Sequence, residues 1–581
     1  MTMTTLFENY QQLTGTVPEQ TWTWNLYGAG VDNIGRDNRA EMFDVPKPDA
    51  DQMLVRVDAV GLCFSDVKVI NQGSAHPKLY NRDLKLEPTR LGHEATVTVI
   101  QVGVNLQDQY RPGERYAMQP DIYQNGKSTA YGYTLPGGLV QYHLIGKEIL
   151  ETDAGACLLR VSDQMGLGDA ALLEPWGCVF ASYTQRRRLL PKAGGTMWLI
   201  GQPGATEDYT FSHGLESPAT LILTDVPASV AALAANHGRR VIVRDGLTVD
   251  DYAALASEFG DGGFDDIVML APRSAVQVSE VAKLVARRGT LNMVGTEPLD
   301  GLVEADVGRL HYDYVAFIGN AGRNIADSYG EDRNRCDLRN DGTAVFVGAG
   351  GPMGQMHVQR AIEQKNGPKV VVVTDIADDR LAEIEARFAP LTAANQRTLV
   401  TYNPTTAQGS LHDLVMELTD NKGAEDVVVC VPNGGIMADS ATFMNESGML
   451  VLFAGVPNGT MAPVDFSKIY LNNAQLTGTS GLTIHDQTMV MENTLQGNIA
   501  PAVCVAAIGG MHVAKAGIEA MIASRYPGKI LIFPQLLDLP LMGLNELAEK
   551  MPAVAAALGA GNTWNTAAEA ALFNQCLVAQ P

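Results

Sequence analysis

The sequence predicts an α/β protein in which a β-rich domain precedes two doubly wound, parallel-sheet domains in tandem. Three observations carry this. Between about Asp51 and Ile145, the runs "MLVRVDAVGLC", "ATVTVIQVGV" and "LVQYHLIG" are short, alternating or β-branched, and separated by Gly, Pro and Asp turns. From about Met165 helical patterns alternate with buried strands, which favours a parallel sheet. That alternating stretch then occurs a second time.

The two copies share landmarks in one order. In the first, "TMWLIGQPGA" ends at Ala205, "LILTDV" holds Asp225, and "FDDIVMLAP", "RRGTLNMVGTEP" and "HYDYVAFIGNAG" follow. In the second, "TAVFVGAGGPMG" ends at Gly354, "VVVVTDI" holds Asp375, and "AEDVVVCVP", "ESGMLVLFAGVP" and "YLNNAQLTGTSG" follow. The offset between copies stays between 147 (Gly201 to Gly348) and 160 (Gly295 to Gly455). The charged, turn-rich "SYGEDRNRCDLRNDG" marks the break between them. The expected division is therefore 1–165 for the β-rich domain, 166–335 and 336–505 for the two α/β units, and 506–581 for a C-terminal segment. In that segment "YPGKILIFP" should return as a strand to the β-rich domain, and the tail reads as two helices separated by a Gly-Asn break.

Composition narrows the function. At 581 residues the chain exceeds one hydrophobic core, and its net charge is −23, with 65 acidic against 42 basic residues. That balance argues against nucleic acid, whose binding needs a concentrated basic face. The only compact basic run, Arg186-Arg187-Arg188, reads as a solvated helix face, with contact to a substrate phosphate as a lesser reading. No run of eighteen apolar residues predicts a membrane span, and the N-terminus lacks the pattern of a secretory signal. Seven scattered cysteines, none at metal-knuckle spacing, fit reduced thiols and a cytoplasmic location.

A nucleotide site is expected in the second copy. The strand "AVFV" runs into a turn of Gly348, Gly350, Gly351 and Gly354, then into the helical "MGQMHVQRAIE", and Asp375 ends the next strand. Closely spaced glycines let the backbone approach a pyrophosphate lying against the helix N-terminus. A carboxylate at 375 can bind a ribose 2′-OH and repels a 2′-phosphate, which favours NAD(H); nearby Arg380 weakens that preference slightly. The spacing departs from G-x-G-x-x-G because Met353 takes the sixth position and the glycine follows one residue later. In the first copy Pro203 and Thr206 replace the second and third glycines, and Glu207 and Asp208 stand where phosphate would lie. Two carboxylates there oppose a pyrophosphate, so that copy is expected to be structural or regulatory.

A metal site is expected in the β-rich domain. "GLCFSD" offers Cys63, Ser65 and Asp66, "LGHEAT" offers His93 and Glu94, and "LLEPWG" offers Glu174. Thiolate, imidazole and carboxylate are the donors of a catalytic zinc, which keeps one position open. Singly, each residue also has an ordinary structural explanation.

Together with "GGLVQY", "EPWG" and "GNIAPAVCVAAIGG…PGKILIFP", these motifs resemble the medium-chain zinc alcohol dehydrogenase family, within it the sorbitol dehydrogenase and sorbose-phosphate reductase branch. The resemblance implies a GroES-like catalytic domain beside Rossmann-type domains, zinc held by Cys63 and His93 with Glu94 or Glu174 completing the shell, Asp66 orienting the histidine, and Ser65 beginning a proton relay. Two departures stand out. The family's lobe of four cysteines is missing, since no Cys lies between Cys63 and Cys157, so one catalytic zinc and no structural zinc is expected. The α/β unit is also duplicated, and the second copy is the expected catalytic partner because "GKILIFP" follows it. The implied activity is reversible hydride transfer between NAD(H) and a secondary alcohol or ketone of a polyol, sugar or sugar phosphate, in a chain able to form homo-oligomers. Two other readings stay open: an NADH-binding regulatory or structural protein without turnover, and a zinc-free quinone or enone reductase.

Overall fold

The β-rich domain is assembled around β1 (Met53–Gly61), every residue of which is buried, and β2 (Glu94–Val102), with the helix α1 (Phe64–Gln72) between them in sequence. Shorter strands β3 (Arg115–Met118), β4 (Tyr142–Ile145) and β5 (Leu158–Arg160) complete its N-terminal part. Helices α2 (Leu167–Ala171) and α3 (Leu173–Ala181) lead out of it. The computed structural model describes residues 5–13, 16–184, 186–236, 240–259 and 262–577.

The first α/β unit contributes β6 (Thr196–Ile200), β7 (Thr220–Thr224), β8 (Arg240–Val243), β9 (Phe264–Leu270), β10 (Val285–Val294), the short β11 (Val303–Asp306), α4 (Val307–Tyr312) and β12 (Ala316–Asn320). The second contributes β13 (Thr343–Val347), α5 (Pro352–Glu363), β14 (Val370–Thr374), β15 (Thr398–Tyr402), β16 (Ala424–Val429), β17 (Met444–Leu452), β18 (Met461–Val464), α6 (Ser467–Asn472) and β19 (Gln475–Gly478). Each forms a parallel six-stranded sheet, ordered β8-β7-β6-β9-β10-β12 and β15-β14-β13-β16-β17-β19. In both, the order reverses beside the first strand, the place where doubly wound sheets open a crevice for a ligand.

The duplication reaches further than the strand ends. Arg188 forms a bidentate pair with Asp266 of β9, and Lys192 N donates to the same carboxylate at 2.9 Å. In the second unit Arg335 pairs with Asp426 of β16, and Arg339 N donates to it at 2.6 Å. The units differ between their first two strands. No helix joins β6 to β7; residues 201–219 instead form a loop that buries Tyr209, Phe211 and Leu215. A segment carrying Glu207 and Asp208 without an apolar stripe has no face to bury as a helix.

After the second unit, β20 (Val505–Gly510), β21 (Lys529–Phe533) and β22 (Met542–Gly543) rejoin the β-rich sheet, whose order is β5-β3-β2-β1-β21-β20-β22 with β4 also paired to β1. β21 lies antiparallel to β1, with Leu531 opposite Gly61. The last helix, α7 (Thr566–Cys576), closes the chain on its own middle: Glu569 accepts from Leu167 N and Gly168 N at 2.6 and 2.9 Å, capping α2. The first of the two expected tail helices is cut in two at Met551, because Pro552 cannot continue the preceding turn.

Two expectations are corrected here. The boundary at 166 moves, because residues 166–183 do not join the first α/β unit. Trp176, Val179 and Tyr183 pack with Phe346, Met356 and Ile362 of the second unit, Trp176 Nε1 donates to Pro501 O, and the Tyr183 hydroxyl bonds His357 Nδ1 at 2.7 Å. The first unit is thus inserted between α3 and β13. Arg186–Arg188 are not a solvated helix face either. Arg186 pairs with Asp486 at 2.8 Å, Arg187 donates to the carbonyls of Tyr329 and Gly330, and Arg188 is committed to Asp266, so the run fastens the inserted unit to its neighbours.

Candidate active site

The site starts where β1 meets α1. Cys63 occupies the position just before the helix, and Asp66, one turn in, accepts from Cys63 N at 3.2 Å. The other Asp66 oxygen accepts from Gly92 N at 3.3 Å and meets His93 Nδ1 at 3.2 Å. One buried carboxylate therefore holds the cysteine turn, the "GHE" turn and the histidine ring together. With Nδ1 so engaged, Nε2 is the nitrogen left for a ligand.

Glu94 opens β2 and is wholly buried; a Cβ on Gly61 would lie 2.1 Å from its Oε2, so only glycine fits there. The ligand atoms of Cys63, His93 and Glu94 lie within 4.8 Å of one another, the one such group of three among the described residues. Glu94 Oε2 has no hydrogen-bond partner. A sulfur, a nitrogen and an orphaned carboxylate oxygen, gathered around one point, suit a zinc ion. The electrostatics agree. Burial alone would push the His93 pKa down, but Tyr133, Asp66 and Cys63 outweigh it and hold it well above the ordinary value. Burial raises Glu174 to about 7, with His93 opposing and Glu94 adding to the shift. Glu174 is buried in the first turn of α3 beside this group but outside its 4.8 Å spacing.

Sequence reasoning missed two participants. The Lys529 ammonium, buried on β21, pairs with Glu94 Oε1 and donates to Leu62 O. Burial opposes its charge, and Glu94, Cys63 and Glu174 together hold its pKa above the ordinary lysine value. Tyr133 packs beside His93 with ring centroids 5.5 Å apart and tilted by 40°, near Ser65. The "PGK" turn leading into β21 was the available signal for Lys529; nothing local pointed to Tyr133.

The glycine turn of the second unit stands on the same framework. Gly348 has φ +68° and leaves no room for a side chain beside Val431, while a Cβ on Gly354 would lie 2.4 Å from Ala349 Cα. Gly354 thus performs the close helix–strand packing although it comes one residue late, and Met353 is half-buried beside it. Gly350 N donates to Asp375 Oδ2 at 3.0 Å, and Arg380 sits 3.7 Å from Oδ1. A Cβ at Gly351 would meet nothing within 4 Å, so the turn is open in front of the α5 N-terminus. Gln355 in the first turn of α5 donates to Pro527 O, two residues before Lys529. The glycine turn and the Cys63 group are thereby joined through Pro527, Lys529 and Glu94. In the first unit Asp225 is turned to its own loop, accepting from Gly246 N at 3.1 Å, with no helix N-terminus in front of it.

Residues 49–151 match the family model of the alcohol dehydrogenase GroES-like domain. Over those residues the chain is similar to the GroES-like domain of alcohol dehydrogenases. It is 28% identical over 331 residues to L-sorbose 1-phosphate reductase of Klebsiella pneumoniae, covering 53% of the chain and 77% of that protein. It is 22% identical over 547 residues to mannitol-1-phosphate 5-dehydrogenase of Aliivibrio fischeri, covering 93% of the chain and 95% of that protein. The latter match spans both α/β units, so the chain shares its overall length with that relative. The crystal structure of 2R,3R-butanediol dehydrogenase from Bacillus subtilis aligns with 88% of the chain and 99% of its own at 14% identity and a TM-score of 0.49. Among the described residues no helix is long and apolar enough to cross a membrane.

Proposed function

We propose that this chain is a dehydrogenase that transfers a hydride between NAD(H), held by the second α/β unit, and the secondary alcohol or ketone carbon of a polyol, sugar or sugar phosphate. The observation that carries the reading is the Cys63–His93–Glu94 group tied, through Lys529 and Pro527, to the one α/β unit with an open glycine turn. Cys63, His93 and Glu94 hold one zinc ion, with Glu174 closing the pocket. Bound there, zinc supplies Lewis acidity at the carbinol or carbonyl oxygen. Asp66 fixes the His93 ring, and Lys529 balances the Glu94 charge. Ser65, beside Tyr133, takes the hydroxyl proton towards solvent. The open face at Gly351 receives the pyrophosphate, and Asp375 reads the ribose. The dinucleotide carries the redox chemistry; the chain supplies geometry and a site with restricted water.

No four-cysteine lobe is available for a structural zinc, so the metal content is one per chain. The protein acts in the cytoplasm on small molecules, and its acidic surface suits no polyanion. Nicotinamide absorbance, followed with zinc-loaded protein and a panel of polyols, ketoses and their phosphates, tests the reading. Turnover of a panel member supports it. NADH binding with no turnover supports a regulatory protein, and turnover of quinones or enones without zinc supports the reductase alternative.

A further inference from the structure

The contact between the two α/β units has the pattern of a two-fold axis. β11 and β18 are equivalent strands, 158 residues apart, and they pair antiparallel with Val303 opposite Val464 and Asp306 opposite Met461. Moving each residue to its equivalent in the other unit turns the first pair into the second. The same exchange holds in the packing beneath. A Cβ on Gly319 of β12 would lie 2.4 Å from Tyr470, and one on Gly478 of β19 would lie 3.0 Å from His311 N. Gly319 and Gly478 are 159 residues apart, and so are His311 and Tyr470. A surface that contacts its own equivalent in this way is the isologous interface of a symmetric dimer, here formed inside one chain.

The symmetry places α4 of the first unit over the second unit's strand ends. His311, buried, lies 3.4 Å from Leu452 O at the end of β17. Tyr312 meets the His311 ring edge-on, and its hydroxyl stands 2.5 Å from where a Cβ on Gly455 would be. Lys68 of α1, two residues after Asp66, is close enough to act electrostatically on His311. Asp375 marks the adenosine side of the switch point, so the ends of β17 and β19 lie on the nicotinamide side. The Tyr312 hydroxyl makes no hydrogen bond among the described residues, and the side chain is 40% exposed.

We propose that the first α/β unit occupies the place of a second subunit, and that its Tyr312 hydroxyl hydrogen-bonds a substrate hydroxyl or phosphate oxygen at the nicotinamide end of the second unit's cleft. The first unit's lost glycine turn then costs nothing, because its task is to cover an edge and furnish this wall. The edge being covered within the chain, no second chain is needed to complete the site. The inference rests on the hydride-transfer reading for the identity of the ligand, but not for the pairing of the units.

The test uses the full, zinc-loaded chain. Sedimentation equilibrium should give a monomer of 62.2 kDa. Tyr312→Phe and Tyr312→Ala should raise KM for the substrate found in the panel by about ten-fold, with kcat within a few-fold and NADH affinity unchanged. A merely structural role would alter stability without that split. A stable dimer, or wild-type KM in both variants, overturns the proposal. Absence of turnover by the wild type on the whole panel defeats the hydride-transfer reading instead, and the mass then decides the pairing: a monomer supports it and a dimer overturns it.

Discussion

Cys63→Ser is expected to lower kcat/KM on the order of 10³-fold while leaving NADH affinity within a few-fold of wild type. Serine keeps the size and the helix-capping position of Cys63, so α1 and the Asp66 hydrogen bonds should persist. What is lost is the thiolate, the softest donor of the group, and with it much of the zinc. Because the glycine turn lies in a different domain, cofactor binding and metal content should separate. Metal analysis, NADH titration and turnover on one preparation check this. An activity loss below ten-fold would place the chemistry elsewhere.

Lys529→Met is expected to destabilise the zinc-free protein by about 3–5 kcal/mol, because it strands the Glu94 carboxylate in a buried site. The Lys529 and Glu94 side chains are 2% and 0% exposed, so no water can replace the ammonium without opening the sheet. Methionine fills a similar volume, which limits the packing loss. The double variant Lys529→Met/Glu94→Gln should recover part of the stability by removing the charge as well. Zinc should recover part of it too, since an ion beside Glu94 supplies positive charge and binds only the folded state. Urea melts of the single and double variants, with and without zinc, measure all of these. A single-variant loss under 1 kcal/mol would contradict a stabilising role for the Lys529–Glu94 pair.

Much of this was legible locally. The second unit's nucleotide turn lies within seven residues, Gly348 to Gly354, so strand, turn and helix could be read together, and the same adjacency exposed the damage in the first unit at Pro203, Glu207 and Asp208. Cys63, Asp66, His93 and Glu94 are likewise bunched at two turns that meet across β1 and β2. Contacts that depend on tertiary assembly were not legible. Lys529 is 435 residues from Glu94, and only the pairing of β21 with β1 brings them together. Helix α3 carries an apolar face that suits either unit, and packing rather than pattern assigns it to the second. Arg188 and Arg335 repeat at an offset of 147, but their partners Asp266 and Asp426 repeat at 160, so their common role shows only in the folded sheets. The two-fold relation needs the register of β11 against β18, which no propensity encodes.

In the proposed function only the second of the two α/β units holds the cofactor. Calorimetric titration of the full chain with NADH tests it most directly, alongside the variants Asp375→Ala and Asp225→Ala. One NADH per chain is expected, with affinity reduced about ten-fold or more by Asp375→Ala and unchanged by Asp225→Ala. Two NADH per chain, or an affinity that falls with Asp225→Ala and not with Asp375→Ala, would contradict it.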